Sequence, residues 1–240
     1  MSLKLHELET ARFGVVTAWV SDNSAHTEEI DVQAKSMGVQ LLITRVPATD
    51  LHRLQDLEAA GYRLMDTLVY YTRDVSNPPH QITPPKGFTF RLATSLDKEE
   101  VARVAKDCFA SYIGHYHADP HLDQKAADAA YVEWAEICTE RTSPTTPVIV
   151  AMFEEKIVGF LAMRTNSRDE MEIILNGVAP AFQGRGVYSS MTANAISLAN
   201  MHGSFRLITS TQITNYKVQK VWTQLGFFHT RSLYTLHKWF

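Results

Sequence analysis

The 240-residue sequence predicts an α/β fold, a mixed sheet flanked by helices and built in two unequal parts. Three observations lead there. Strand-like and helix-like periodicities alternate along most of the chain. A four-proline run, Ser76-Asn77-Pro78-Pro79-His80-Gln81-Ile82-Thr83-Pro84-Pro85-Lys86-Gly87, interrupts them. The stretch from Val178 to Tyr188 reads as a strand end, a glycine-bearing loop and a helix start.

Taken in order, residues 14–20 form a β-type run and 25–37 a helix. Residues 39–46 form a second strand, 51–60 a helix with Asp50 as its N-cap, and 62–71 a third strand. This βαβαβ order implies a mostly parallel sheet within a small unit over 1–75. Residues 76–87 read as an extended linker, because proline removes backbone donors and fixes φ. The larger part, 88–240, begins with a strand at 88–93 and helices at 98–112 and 123–139. Strands follow at 147–153, 157–164 and 170–178, the first two closing a hairpin at Glu154-Glu155-Lys156. The chain ends with a helix over 186–201, a strand over 205–211, a helix over 216–225 and a strand over 228–239.

The two parts echo one another. Gly38 and Gly61 are as far apart as Gly203 and Gly226. On that offset Leu42-Ile43-Thr44 falls on Leu207-Ile208-Thr209, Asp50 on Asn215, and Leu68 on Leu233. Either the first part is a degenerate half of the second fold, or two βαβ units merely look alike. The first copy has no glycine loop after its first strand, so no ligand cradle is expected there.

Composition narrows the function. The hydrophobic content of 45% is that of an ordinary globular protein, and the net charge of −3 gives no pull toward nucleic acid. No apolar run approaches the ~20 residues of a membrane helix, so no membrane partner is expected. The N-terminus is too acidic and too weakly apolar for a signal peptide, and the expected compartment is the cytoplasm. Cys108 and Cys138 both fall in predicted helices and read as reduced core residues.

The chemistry concentrates at Val178-Ala-Pro-Ala-Phe-Gln183-Gly184-Arg185-Gly186-Val187-Tyr188. Residues 183–188 contain no proline, so each backbone N–H can donate, and two glycines permit tight turns. The following helix aims its positive end at the same point, and Arg185 adds a cation at the rim. This arrangement suits a pyrophosphate. The loop resembles motif A of the GNAT acetyltransferases, Gln/Arg-x-x-Gly-x-Gly/Ala, with Gln183 and Gly186 matching and Tyr188 departing. Downstream, Asn215, Gly226 and Phe227 resemble a second GNAT motif, Asn-x-x-Ala-x-x-x-Tyr-x-x-x-Gly-Phe, from which Val218 and Trp222 depart. The element order over 88–240 is also that of the GNAT fold.

The resemblance implies an acetyl-CoA-dependent N-acetyltransferase acting on a small primary amine. Its donor would lie beside Asn176, Gly177 and Val178, with pyrophosphate on Gln183, Gly184, Arg185, Gly186, Val187 and Tyr188, and with Asn215 bonding the pantetheine arm. The N–H of Val178 would polarise the thioester carbonyl. Gly177 is either a close-approach glycine or a β-bulge. Strand alternation places Glu172 on one face with Glu170, Ile174 and Asn176. Glu172 is the candidate base, or else an ion-paired strand residue. Trp222 stands where many relatives keep a tyrosine acid, and indole has no accessible ionisation. The alternative function is therefore an acyl-CoA-binding or regulatory protein without turnover.

A second constellation is His115-Tyr116-His117-Ala118-Asp119-Pro120-His121. His-x-His-x-Asp resembles the zinc-binding run of metallo-β-lactamase-like hydrolases, but Pro120 interrupts it and it follows a helix, so no metal is expected. In a GNAT domain this loop would lie beside the acceptor. His115, His117 and Asp119 then read as substrate contacts or a proton relay, or else as an inert surface loop. The layout resembles that of TDP-fucosamine acetyltransferase-like enzymes, which suggests a nucleotide-linked amino sugar as acceptor. Arg103, Lys106 or the loop histidines would be the cations to meet its diphosphate. The sequence leaves a homodimer open.

Overall fold

A computed structural model describes residues 2–22, 24–77 and 83–240. The first part holds β1 (Leu3–Leu5), α1 (Glu7–Phe13), β2 (Thr17–Val20), α2 (Thr27–Ser36), β3 (Leu41–Pro47), α3 (Leu51–Ala59) and β4 (Arg63–Asp74). The second begins with β5 (Phe88–Leu92), α4 (Lys98–Phe109), the one-turn α5 (His115–Ala118) and α6 (Gln124–Glu140). It continues with β6 (Val148–Phe153), β7 (Lys156–Ser167), β8 (Glu170–Val178), α7 (Val187–Met201), β9 (Arg206–Gln212), α8 (Tyr216–Gln224) and β10 (Phe228–Trp239). The linker expected over 76–87 lies partly outside the described residues.

The first strand and helix were not legible in the sequence. β1 has three residues and α1 seven, too short for either periodicity to declare itself. Local chemistry sets α1 instead: the His6 side chain accepts from the Glu9 amide, and Gly14 closes the helix at φ 67°.

Among the described residues ten strands join one mixed sheet, ordered β1-β2-β3-β10-β4-β9-β8-β7-β6-β5. The parallel sheet expected in the first part survives only as β2–β3. β4 lies between β10 and β9, antiparallel to both, and β10 reaches across to pair with β3. The two ladders repeat each other on the offset seen in the sequence. Leu233 opposite Pro47 repeats Leu68 opposite Gln212, and Trp239 opposite Leu41 repeats Asp74 opposite Arg206. Leu68 and Leu233 face each other across the central pair. Beside its own half's sheet, each last strand would be an edge. Exchanged, each gains a partner on both sides, and no long edge is left exposed.

Helices cover both faces. α4 and α6 pack Val101, Val104, Phe109 and Ala135 against Val150, Phe160 and Leu175. On the other face Met191, Ile196 and Trp222 pack against Leu161, Met171 and Ile173. In the first part Ile30, Ala34 and Leu57 cover Leu42 and Val46, joined by Leu236 of β10.

Two of the places where β8 departs from regular pairing shape the site. The ladder of β8 with β7 slips between Ala162–Leu175 and Met163–Ile173, leaving Ile174 as an extra residue. Ile174 and Leu175 consequently pack on the same face. This corrects the parity expected for Glu172 and Asn176, because the bulge moves Asn176 to the opposite face. The parallel ladder of β8 with β9 runs only from Glu170–Arg206 to Ile173–Thr209, after which the strands splay.

Candidate active site

The splay opens a cavity of about 1510 Å³, lined by both parts of the chain. On one wall the Ala179 amide donates to the Val158 carbonyl at 2.8 Å. Antiparallel alternation from that bond turns the N–H groups of Asn176 and Val178 away from β7, toward the side that β9 has left. The Val178 carbonyl accepts from the Gln183 side-chain amide at 2.9 Å, which ties the loop back to the strand end. Gly177 is explained by packing: a Cβ there would stand 2.2 Å from Cys108 Sγ of α4. Burial pushes that thiol up to about 12 and the Cys138 thiol to about 11, in keeping with reduced core residues.

The loop itself is preorganised. Gly184 and Gly186 sit at φ 74° and 80°, a region costly for any residue with a Cβ. The Gln183 amide bonds the Pro180 carbonyl, so the cradle begins one residue later than expected. Among the described residues, the amides of 184–189 have no partner within the protein, and Gly186 is an N-cap without a side-chain bond. Arg185 lies over the Phe182 ring at the exposed rim. Lys217 and Lys220 of α8 add cations to the cavity wall. These groups fit the diphosphate of a nucleotide cofactor. Asn215 does not cap α8; its side chain donates to Thr211 Oγ1 at 3.0 Å, at the mouth of the splay.

Trp222 is fully buried and donates its indole N–H to Tyr188 Oη at 2.8 Å. The phenol at the departing motif position therefore accepts from the indole that departs in the second motif. Burial holds that phenol well above its ordinary value, outweighing the bond from Trp222.

Glu172 lines the cavity but is engaged. Its carboxylate accepts from Arg164 Nη2 at 2.7 Å, Arg164 Nε at 3.0 Å and Asn166 Nδ2 at 3.1 Å. It precedes the splay, where β8 is still paired on both sides.

The histidine loop divides. His117 is structural: Nδ1 accepts the Gly114 amide at 3.2 Å and Nε2 lies 3.1 Å from Asp128. His115 lines the cavity, with Nδ1 at 2.9 Å from His237 Nε2. His237 Nδ1 lies 2.7 Å from Asp119 Oδ2, which also accepts from Trp239 Nε1 at 2.9 Å. Asp119 is fully buried and does not reach the cavity. Burial pushes its carboxyl up, but bonds from His237, Trp239 and the His121 amide prevail and hold it below the usual range. His115 is held well below its ordinary value by burial, then by His237, Arg45 and His117, against the pull of Asp119. Because these donors diverge, the run builds no common ligand set. Among the described residues no three His, Cys, Asp or Glu side chains are placed to hold a metal ion.

The model of the acetyltransferase (GNAT) family matches residues 104–227. The chain belongs to the GNAT acetyltransferase family. A curated relative is the spore coat polysaccharide biosynthesis protein SpsD of Bacillus subtilis (strain 168), 26% identical over 203 residues. That match covers 82% of this chain and 66% of the Bacillus protein, so the chain spans slightly less than two thirds of that relative's length. A GCN5-related N-acetyltransferase from Sphaerobacter thermophilus superposes with a TM-score of 0.68 at 14% identity, covering 99% of this chain and 76% of that one. A conserved Staphylococcus epidermidis protein of unknown function gives 0.65 at 16%, covering 94% and 85%. These likenesses show the fold, a GNAT sheet with an added N-terminal part.

The far wall of the GNAT cavity comes from residues the sequence did not flag. Glu9 is buried and accepts from Trp19 Nε1 at 2.8 Å and from the Tyr116 hydroxyl. Trp19, Arg45 and Arg12 line the same wall, and Arg45 lies 4.9 Å over the Trp19 ring. Arg103 and Lys106, the cations expected to meet a diphosphate, do not line the cavity. Arg103 instead donates to the Ile157 carbonyl at 2.9 Å. His237 could not be singled out either, being one polar residue in an alternating strand whose partners lie more than a hundred positions away.

Proposed function

We propose that the protein is an acetyl-CoA-dependent N-acetyltransferase of a small primary amine, with an amino sugar carried on a nucleotide as the favoured acceptor. One observation carries the reading: the unpaired N–H edge of Asn176 and Val178 leads directly into the unbonded amides of 184–189. A pantetheine arm can pair with the strand edge and a diphosphate can meet the loop. When bound, acetyl-CoA supplies the activated acyl group. The chain's part is to hold it along β8, to polarise its carbonyl with the Val178 N–H, and to take a proton from the acceptor. We read residues 1–75 as a degenerate half of the same fold that walls the acceptor side and binds no donor of its own. The relative's assignment to polysaccharide biosynthesis supports a sugar acceptor, and Arg45, on the wall given by the first part, is a cation suited to a nucleotide diphosphate.

A second reading keeps one observation in its favour. With Trp222 N–H committed to Tyr188, no phenol occupies the usual acid position, as in an acyl-CoA-binding protein without turnover. Thioester consumption separates the two. We expect acetyl-CoA to bind and to be consumed with a nucleoside-diphosphate amino sugar in preference to the free sugar, spermidine or a short peptide. Binding with no consumption across that panel would favour the second reading. Equal rates with conjugate and free sugar would remove the nucleotide from the acceptor.

A further inference from the structure

We propose that His115 is the group that takes the acceptor's proton, and that His237 and Asp119 are positioning residues that keep its Nε2 unprotonated and facing its task. This inference rests on the acetyltransferase reading and names the base of that site.

The hydrogen-bond inventory dictates the proton positions. Asp119 accepts four hydrogen bonds, from His237 Nδ1, Trp239 Nε1 and both the amide and Nδ1 of His121. An ionised carboxylate has no proton to give, so His237 must carry its own on Nδ1. With one proton on each ring, His237 Nε2 is then an acceptor and His115 must donate from Nδ1. The lone pair of His115 is left on Nε2, which has no partner among the described residues. The orientation runs Asp119 to His237 to His115, from the fully buried carboxylate outward to the cavity.

Placement agrees. Gly114, which precedes α5, lies near the end of β9: a Cβ there would stand 3.6 Å from the Gln212 side-chain amide. Gln212 and the adjacent Thr211, which holds Asn215, belong to the stretch of β9 that no longer pairs with β8. His115, the residue after Gly114, lines the same cavity against Trp19 and His237, whereas Glu172 stands before the splay with its carboxylate held by Arg164. Burial, then His237, Arg45 and His117, keep the resting ring neutral and able to accept a proton, while Asp119 pulls the other way. In the step itself, His115 Nε2 takes one proton from the acceptor ammonium. The freed amine forms the C–N bond as the C–S bond breaks, and its second proton leaves with the thiol.

Two measurements on the full chain test this. Nitrogen-15 NMR of the imidazoles reports the tautomers without any turnover: we expect protons on Nδ1 of both His115 and His237. A proton on His115 Nε2 overturns the proposal. In kinetics, His115→Gln should lower kcat/KM by roughly 10²-fold, within the range for general-base loss. It should also erase the acid limb of the pH profile, with the acetyl-CoA Kd unchanged. His237→Leu should shift that limb and lower the rate, and His237→Gln, which can still donate to Asp119 and accept from His115, should restore most of it. Wild-type kcat/KM with an unaltered acid limb in His115→Gln overturns the proposal. If the wild-type chain binds acetyl-CoA but consumes none with any amine, the acetyltransferase reading fails, and the tautomers alone decide whether the relay exists.

Discussion

The two βαβαβ stretches have matching ladders and different ends. β3, α3 and β4 repeat as β9, α8 and β10 with the same lengths, and the pair Trp19–Ile43 falls where Glu172–Ile208 does. They diverge one residue later. β2 ends at Val20 and the chain turns into α2, whereas β8 runs on to Val178, bulges and splays. The added segment carries the unpaired amides and opens onto the glycine loop. The comparison teaches that a shared sheet supplies a frame, and a few residues beyond its ladder supply an unpaired edge. The first part gives cavity side chains instead: Glu9 of α1, Trp19 of β2 and Arg45 of β3.

The exchange of last strands makes the comparison testable at the core. Leu236 lies on β10 yet is fully buried in the core of the first part. Its counterpart on the offset, Tyr71 of β4, packs on Trp222 in the second, with ring centroids 5.4 Å apart. Each half thus carries part of the other's core. Leu236→Ala should cost about 2–5 kcal/mol, the range for emptying a buried leucine site. Calorimetry should show one unfolding transition at a lower temperature. Two separable transitions, with only the first displaced, would mean that the halves are independent despite the shared sheet.

A smaller effect tests the ends rather than the frame. Gly186→Val places a branched side chain at φ 80°, where strain costs roughly 1–3 kcal/mol. Calorimetric titration should show acetyl-CoA binding weakened roughly ten- to a hundredfold. Ser24→Val, in the turn that replaces the cradle after β2, should leave the affinity unchanged. An equal loss from both substitutions would place donor contacts in the first stretch and break the contrast.

Legibility followed the range of the interactions. The second stretch could be read because its signals are local: Gln183, Gly184 and Gly186 lie within one turn, and β8, α7, β9, α8 and β10 are long enough for their periods to show. The echo could be read because glycines mark helix ends at positive φ in both copies. The exchange could not, since strand order depends on which edges meet and the offset leaves either pairing open. The bulge at Ile174 was equally hidden, and it reversed the face assigned to Asn176. His115 was flagged for its residue type. Its partner His237 was not, because the bond joining them spans 122 positions of sequence.

The smallest effect concerns the matched position itself. Trp19 and Glu172 occupy the same register place and both line the cavity, but neither lies in the splayed segment. The Glu172 side chain is 11% exposed against 54% for Arg164, so the pair is half in solvent and screened. Glu172→Gln keeps the shape and one acceptor oxygen for Arg164 and removes the charge. Loss of such a pair costs up to about 1 kcal/mol of stability. The acetyl-CoA Kd should not move, and kcat should fall by less than about tenfold, short of the 10²–10⁴-fold typical when a general base is lost. Steady-state kinetics across pH 6–9 decides it. A hundredfold fall in kcat at unchanged affinity would return the proton to Glu172 and leave His115 a buried strut. The chemistry would then belong to the second stretch alone, and the first would be only a wall.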